Sequence, residues 1–398
     1  MTESGPPIEK SRLRELAGLF LRLGFTAFGG PAAHVALMET EIVTRRQWLD
    51  RQHFLDLMAA VNFIPGPNST ELAIHVGQLR AGTRGLIVAG ACFICPAMLI
   101  ILPIAWAYVK WGTRPQAGPA LHAIAAAITA VVVFATIRFS RTAFKDPFTI
   151  ALGVLAAVYN VASKRYALTE PELLPLAIAA IAGSIWYRAR QPRTVTVVSI
   201  ALPMGFWPEL LRLAAVMLKI GATLFGSGYV LISYLQSEMV DHRGWLSQQQ
   251  LLDAIAVGQF TPGPLLTTAT FVGYLLGSTK FGGGMPGGII AGVAATIAIF
   301  LPAFVLVAIF GPILNRIRHN IWARGALDGM NAAVVGLMAI VAFQLLISAT
   351  WVPTARHIDV LGVFIFVASM VALWKKVNAT WLVLAAALIG AIAHFVIA

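Results

Sequence analysis

Apolar residues run along this chain in unbroken stretches punctuated by short polar clusters. Spans of membrane-crossing length fall near Leu86–Tyr108, Leu121–Arg138, Phe148–Val161 and Leu173–Trp186. They recur near Ile289–Phe310, Leu327–Ile347, Ile358–Trp374 and Trp381–Ile397. A hydrocarbon layer takes roughly 20 helical residues to cross, so each stretch predicts a membrane helix, although Phe148–Val161 is short for one. Continuous runs exclude a transmembrane barrel, whose strands alternate apolar and polar positions. The pattern predicts an all-α polytopic membrane protein.

Four further apolar segments are broken. Leu16–Thr40 and Leu210–Val240 are interrupted at Gly29-Gly30-Pro31 and Gly226-Ser227-Gly228. Phe54–Leu79 and Leu251–Leu276 carry Pro-Gly-Pro triplets, Pro65-Gly66-Pro67 and Pro262-Gly263-Pro264. Proline removes an amide donor and clashes with the preceding turn. In lipid, such non-helical backbone survives only where protein or a water-filled cavity surrounds it.

The breaks match because the chain is duplicated. A shift of 197 positions, from Arg22 to Lys219, lays Arg22–Thr70 on Lys219–Thr267 without a gap. Gly24, Thr26, Phe28, Glu41, Arg46, Trp48 and Asp56 recur as Gly221, Thr223, Phe225, Glu238, Arg243, Trp245 and Asp253. The expected organisation is a polar cytoplasmic tail (1–15), a first transporter repeat (16–187), a Pro- and Arg-containing linker (188–208) and a second repeat (209–398). Parity of crossings would decide between parallel and inverted repeats, and the sequence leaves it open. The loop charges give no vote either, because Arg12 and Arg14 precede the first broken segment while Arg45, Arg46 and Arg51 follow it.

Composition fixes the solvent. Of 398 residues 58% are hydrophobic and 12% charged, with a mean hydropathy of +0.79, more apolar surface than a water-soluble chain can hide. The net charge of +12 lies in short loops, where it serves topology rather than nucleic acid. Met1 to Arg14 lacks the apolar core of a signal peptide, so the first helix is expected to direct insertion. Cys92 and Cys95 lie inside an apolar run and read as packing residues.

Paired interrupted segments in two repeats are the sequence pointer to a transporter's binding site. After each break a half-helix starts with unpaired amides at the positive end of its dipole, a site for an anion. The candidate substrate-binding residues are therefore Gly29, Gly30, Pro65, Gly66, Pro67, Asn68 and Ser69, with Gly226, Ser227, Pro262, Gly263, Pro264 and Thr267. The amide pair Asn62 and Gln259 joins them as donors or helix caps. Arg22 and Lys219 are intramembrane cations at equivalent positions, candidates for the substrate's charge. Glu71 and His75, four apart on one helix face, are unmatched in the second half; they read as a proton-coupling pair or a local hydrogen bond, with His34 a third candidate. Glu41 with Arg46, and Glu238 with Arg243, read as loop ion pairs or gates. No phosphate loop, zinc-ligand cluster or catalytic triad is present, so no catalytic residue, metal or cofactor is expected.

The stretches "GFTAFGGPAAHVALMETEIV" (Gly24–Val43) and "FIPGPNSTELAIHVG" (Phe63–Gly77), with "LFGSGYVLISYLQSEMV" and "FTPGPLLTTATFVGY", resemble the CHR family of chromate ion transporters in its long, two-domain form. The resemblance implies a prokaryotic inner-membrane carrier that exports chromate and confers resistance to it. The family's short members are thought to insert as oppositely oriented pairs, which implies inverted repeats here. Sulfate, of the same tetrahedral shape, is the alternative substrate or competitor. Protons are a candidate coupling ion and a second copy of the chain a candidate partner. Each charge is worth roughly 2.3 kcal/mol per 100 mV, so an inside-negative membrane favours outward movement of a dianion. An intramembrane enzyme acting on an anionic lipid, through His34, Glu71 and His75, is the competing class.

Overall fold

A computed structural model describes residues 6–28, 31–112, 118–166, 173–187, 206–226, 228–311, 320–352 and 357–397. Gly29, Gly30, Ser227 and most of the expected linker lie outside these described residues. The first repeat comprises α1 (Pro6–Thr26), α2 (Pro31–Glu39), α3 (Arg51–Val61), α4 (Ser69–Trp111), α5 (Gly118–Ala143), α6 (Pro147–Tyr166) and α7 (Leu173–Tyr187). The second comprises α8 (Phe206–Thr223), α9 (Val230–Leu235), α10 (Gln248–Phe260), α11 (Thr268–Leu275), α12 (Gly284–Phe310), α13 (Ile321–Thr350), α14 (Val360–Trp374) and α15 (Ala379–Ile397). Pairing of Trp351–Val352 with His357–Ile358 is the one strand contact among the described residues.

The 197-residue register carries through to local structure. Asp50 caps α3 by accepting from the His53 amide at 2.9 Å, and its counterpart Ser247 caps α10 in a reciprocal box with Gln250. α2 and α9 both run on into a π-helical turn, Thr40–Arg45 and Gln236–His242. α4 is itself a hairpin. Ala81 and Gly82 leave helical geometry, and Gly77 then packs on Ala89 of the returning arm, 83–111. In the second repeat the same reversal separates α11 from α12.

The broken segments fold back rather than cross. In a continuous helix positions 22 and 41 would stand roughly 28 Å apart, yet Arg22 is ion-paired with Glu41. Positions 48 and 80 would stand roughly 48 Å apart along a straight path, yet the Arg80 guanidinium lies 4.7 Å from the centre of the Trp48 ring. Arg80 also pairs with Glu15 at 3.1 Å. The middle of α1, the loop before α3 and the turn of α4 therefore meet on one face of the molecule, here the first face. The second repeat repeats the arrangement, with Lys219 paired to Glu238 and the Trp245 ring 5.6 Å from Phe281. Each repeat thus opens with two re-entrant hairpins.

The repeats are inverted. The returning arm of α4 and α12 are equivalent helices, and they pack antiparallel: Gly90 lies on Phe304 and Leu102 on Gly292. Their successors α5 and α13 also run antiparallel, with Thr129 against Leu345 between the His122–Asp359 and Lys145–Asp328 pairs at the two ends. The second repeat's hairpins consequently enter from the opposite face. Four described helices, α4, α5, α12 and α13, are long and apolar enough to cross a membrane. Outward-facing apolar side chains such as Leu155, Trp186, Phe364, Trp374 and Leu388 remain exposed, as lipid-facing positions should.

Candidate functional site

The four hairpin tips meet inside the protein. The Gly66 amide donates to the Leu224 carbonyl at 2.7 Å, and the Gly263 amide donates to the Ala27 carbonyl at 3.0 Å. These bonds exchange under the 197-residue shift, so a pseudo-two-fold axis passes between the tips. Pro65, Gly66, Pro67 and Ser69, like Pro262, Gly263, Pro264 and Thr267, are buried at this crossing. Buried backbone without helical partners is satisfied here by the other repeat, as lipid could not do.

Asn68 ties the crossing to its surroundings. Its backbone is left-handed (φ +39°), and its side-chain amide donates to Asn62 Oδ1 at 2.7 Å and to the Gly226 carbonyl at 3.2 Å. Asn62 also caps α3 by donating to the Met58 carbonyl. Its counterpart Gln259 is buried.

A cleft of about 520 Å³ lies against Asn62 and Gly226. Asp56 and Phe63 line one wall, Phe139, Thr142 and Lys145 another, and Arg324, Asp328 and Asn331 of α13 the third. Lys145, Arg324 and Asp328 belong to the first face, where α5 ends and α13 begins, so the cleft leads from that face to the tips. Lys145 pairs with Asp328 at 2.6 Å. The α13 residues were missed in the sequence because they sit inside an uninterrupted span or just before it. Their signal is the spacing 324, 328, 331, one helix face bearing two charges and an amide.

Arg22 and Lys219 do not line this cleft. Arg22 pairs with Glu41, which Arg45 also contacts at 2.6 Å and Arg46 at 3.6 Å. Lys219 reaches Glu238 at 2.8 Å, and Arg243 closes on the same carboxylate. The intramembrane cations and the loop pairs Glu41–Arg46 and Glu238–Arg243 are therefore one duplicated cluster, each neutralising a buried glutamate.

The titratable residues found in the first repeat alone lie behind its Pro-Gly-Pro turn. His34 contacts the Ala27 carbonyl at 3.0 Å and Ser69 Oγ at 3.4 Å, linking the two tips of that repeat. Glu71 is fully buried and, among the described residues, neither carboxyl oxygen has a hydrogen-bond partner; His75 Nδ1 is also unpaired among them. Of the two readings of this pair, the local Glu71–His75 hydrogen bond is thus not made. Glu71 instead sits against Gly66, where a Cβ would fall 2.5 Å from its carboxyl carbon.

Comparison with known proteins agrees with this architecture. The family model described as chromate transporter matches twice, over residues 14–205 and 211–391. The chain is 30% identical to a chromate transport protein of Pseudomonas aeruginosa, over 98% of this chain and 94% of that one. It is 28% identical to a chromate transport protein of Cupriavidus metallidurans, over 96% and 93%. An uncharacterized transporter of Bacillus subtilis is 33% identical over 22% of this chain and 45% of its own. No solved structure matches.

Proposed function

Because the chain belongs to the chromate transporter family, we propose that it exports chromate across a prokaryotic inner membrane by alternating access, and so confers resistance. The observation that carries this reading is the crossing of oppositely entering hairpins beside a cleft that leads to one face. Rocking one repeat against the other around such a crossing would close the cleft and open its pseudo-symmetric counterpart.

The charge distribution supports the direction. Re-entry places Arg45, Arg46, Arg51, Arg80, Lys145 and Arg324 on the first face, whereas Lys110, Arg212, Arg243 and Lys280 fall on the other. A basic excess marks the cytoplasmic side, so the cleft faces the cytoplasm and receives an anion that the membrane potential drives outward. The loop charges support this orientation once the broken segments count as hairpins rather than spans.

The tips provide the recognition. Gly226 and Gln259 offer amide groups there, Asn62 and Asn68 hold the tips through donors already engaged, and Gly29, Gly30 and Ser227 stand as candidates from the sequence alone. Glu71 occupies the first turn of α4, where the half-helix amides would otherwise attract an oxyanion. A carboxylate there competes with the substrate, and an uncompensated buried charge is costly. Protonation of Glu71, with His75 and His34 nearby, would relieve both, which couples a proton to the anion. Arg22–Glu41 and Lys219–Glu238 serve as hairpin clasps in this reading.

Sulfate shares the shape and charge of chromate, and size gives such a cleft little purchase between them. Chromate uptake into everted membrane vesicles, with and without excess sulfate, tests the assignment. Saturable uptake that sulfate inhibits supports it. Uptake no greater than in vesicles lacking the protein would refute chromate as substrate.

A further inference from the structure

We propose that Arg324 and Asn331 form the oxyanion subsite of the cleft and that Asp328 sets its affinity; the proposal rests on the transporter reading above and deepens it. The three residues lie four and three positions apart on α13, so one helix face runs from the cleft mouth to its floor. Arg324, at the mouth, is exposed, and its guanidinium makes no hydrogen bond or ion pair among the described residues. Such a group presents a planar fork of donors suited to two oxygens of a tetrahedral dianion.

Asn331 lies at the floor. Its Oδ1 is buried without a partner and sits against Gly226, where a Cβ would meet it at 3.0 Å. The side chain makes no hydrogen bond among the described residues, which leaves its NH₂ as the donor turned to the cleft. An unengaged NH₂ lining the cleft is free to donate to a bound oxyanion. The ligand class is thus a small oxyanion with several acceptor oxygens, chromate or sulfate.

Asp328 stands between the two donors and holds Lys145 at 2.6 Å. Its carboxylate repels an incoming dianion and at the same time occupies the second cation of the cleft. It therefore weakens binding, which suits a carrier that must release what it captures. The three side chains act in opposite directions, and that opposition separates a binding role from a structural one.

The test is the KM for chromate uptake into everted vesicles carrying equal amounts of wild type, Arg324→Gln, Asn331→Leu or Asp328→Asn. Loss of a charge-assisted contact should raise KM by about tenfold in Arg324→Gln. KM should rise less in Asn331→Leu, and it should fall in Asp328→Asn. An unchanged KM in Arg324→Gln overturns the subsite. So does a rise in all three variants, which would mark α13 as structural. Absence of uptake by the wild type refutes the transporter reading instead. Chromate binding to detergent-purified protein then decides the subsite: binding lost in Arg324→Gln sustains it, and binding equal in both proteins overturns it.

Discussion

The Gly66 amide donates to the Leu224 carbonyl at 2.7 Å, and the same bond returns from Gly263 to Ala27 at 3.0 Å. Two Pro-Gly-Pro turns therefore hold each other's repeat by backbone alone. A side chain at either glycine would be strained, since both take left-handed φ, +143° and +99°. Gly66→Ala and Gly263→Ala should each lose about 1–3 kcal/mol of stability. Thermal unfolding in detergent checks this. Gly66→Ala should lose more, because its methyl meets the enclosed Glu71 side chain.

Lys219→Ala and Arg22→Ala should differ although the positions are equivalent. Glu41 keeps Arg45 and Arg46 when Arg22 is removed. Glu238, whose side chain is 2% exposed, keeps Arg243. Lys219→Ala should therefore lower the unfolding temperature more, and Lys219→Ala with Glu238→Gln should recover part of the loss. Equal losses in both single variants would contradict this view of the clasps.

Much of this fold was legible in the sequence. The duplication, the paired breaks and the apolar spans all follow from residue type and spacing. Re-entry did not, because it depends on contacts such as Trp48 with Arg80 and Arg22 with Glu41 that join residues far apart in the chain. Inversion was hidden for the same reason: counting apolar segments treats a hairpin and a span alike. At the site, the tips carrying Asn62 and Gly226 were readable from proline and glycine. Arg324 and Asn331 were not, since attention to interrupted segments passes over a charge at the start of an unbroken one.

Glu71→Gln tests the coupling role. The substitution keeps shape and removes the ionisable group, so folding and unfolding temperature should hold or improve. Chromate uptake should lose its response to a collapsed proton gradient. A wild-type response in Glu71→Gln would remove this residue from the coupling scheme.

Inversion itself can be read by labelling. With Cys92 and Cys95 replaced by serine, single cysteines at exposed Gln52 and His242 lie on opposite faces. An impermeant maleimide applied to intact cells should modify His242→Cys and spare Gln52→Cys. Modification of both from outside would contradict inverted repeats.

The central claim, outward transport from a cytoplasmic cleft, is tested most directly by measuring chromate uptake in parallel into everted and right-side-out vesicles under an inside-negative cellular orientation. The account predicts saturable, sulfate-inhibited uptake into everted vesicles, with right-side-out vesicles at the level of protein-free controls. Uptake confined to right-side-out vesicles would contradict it and make the protein an importer.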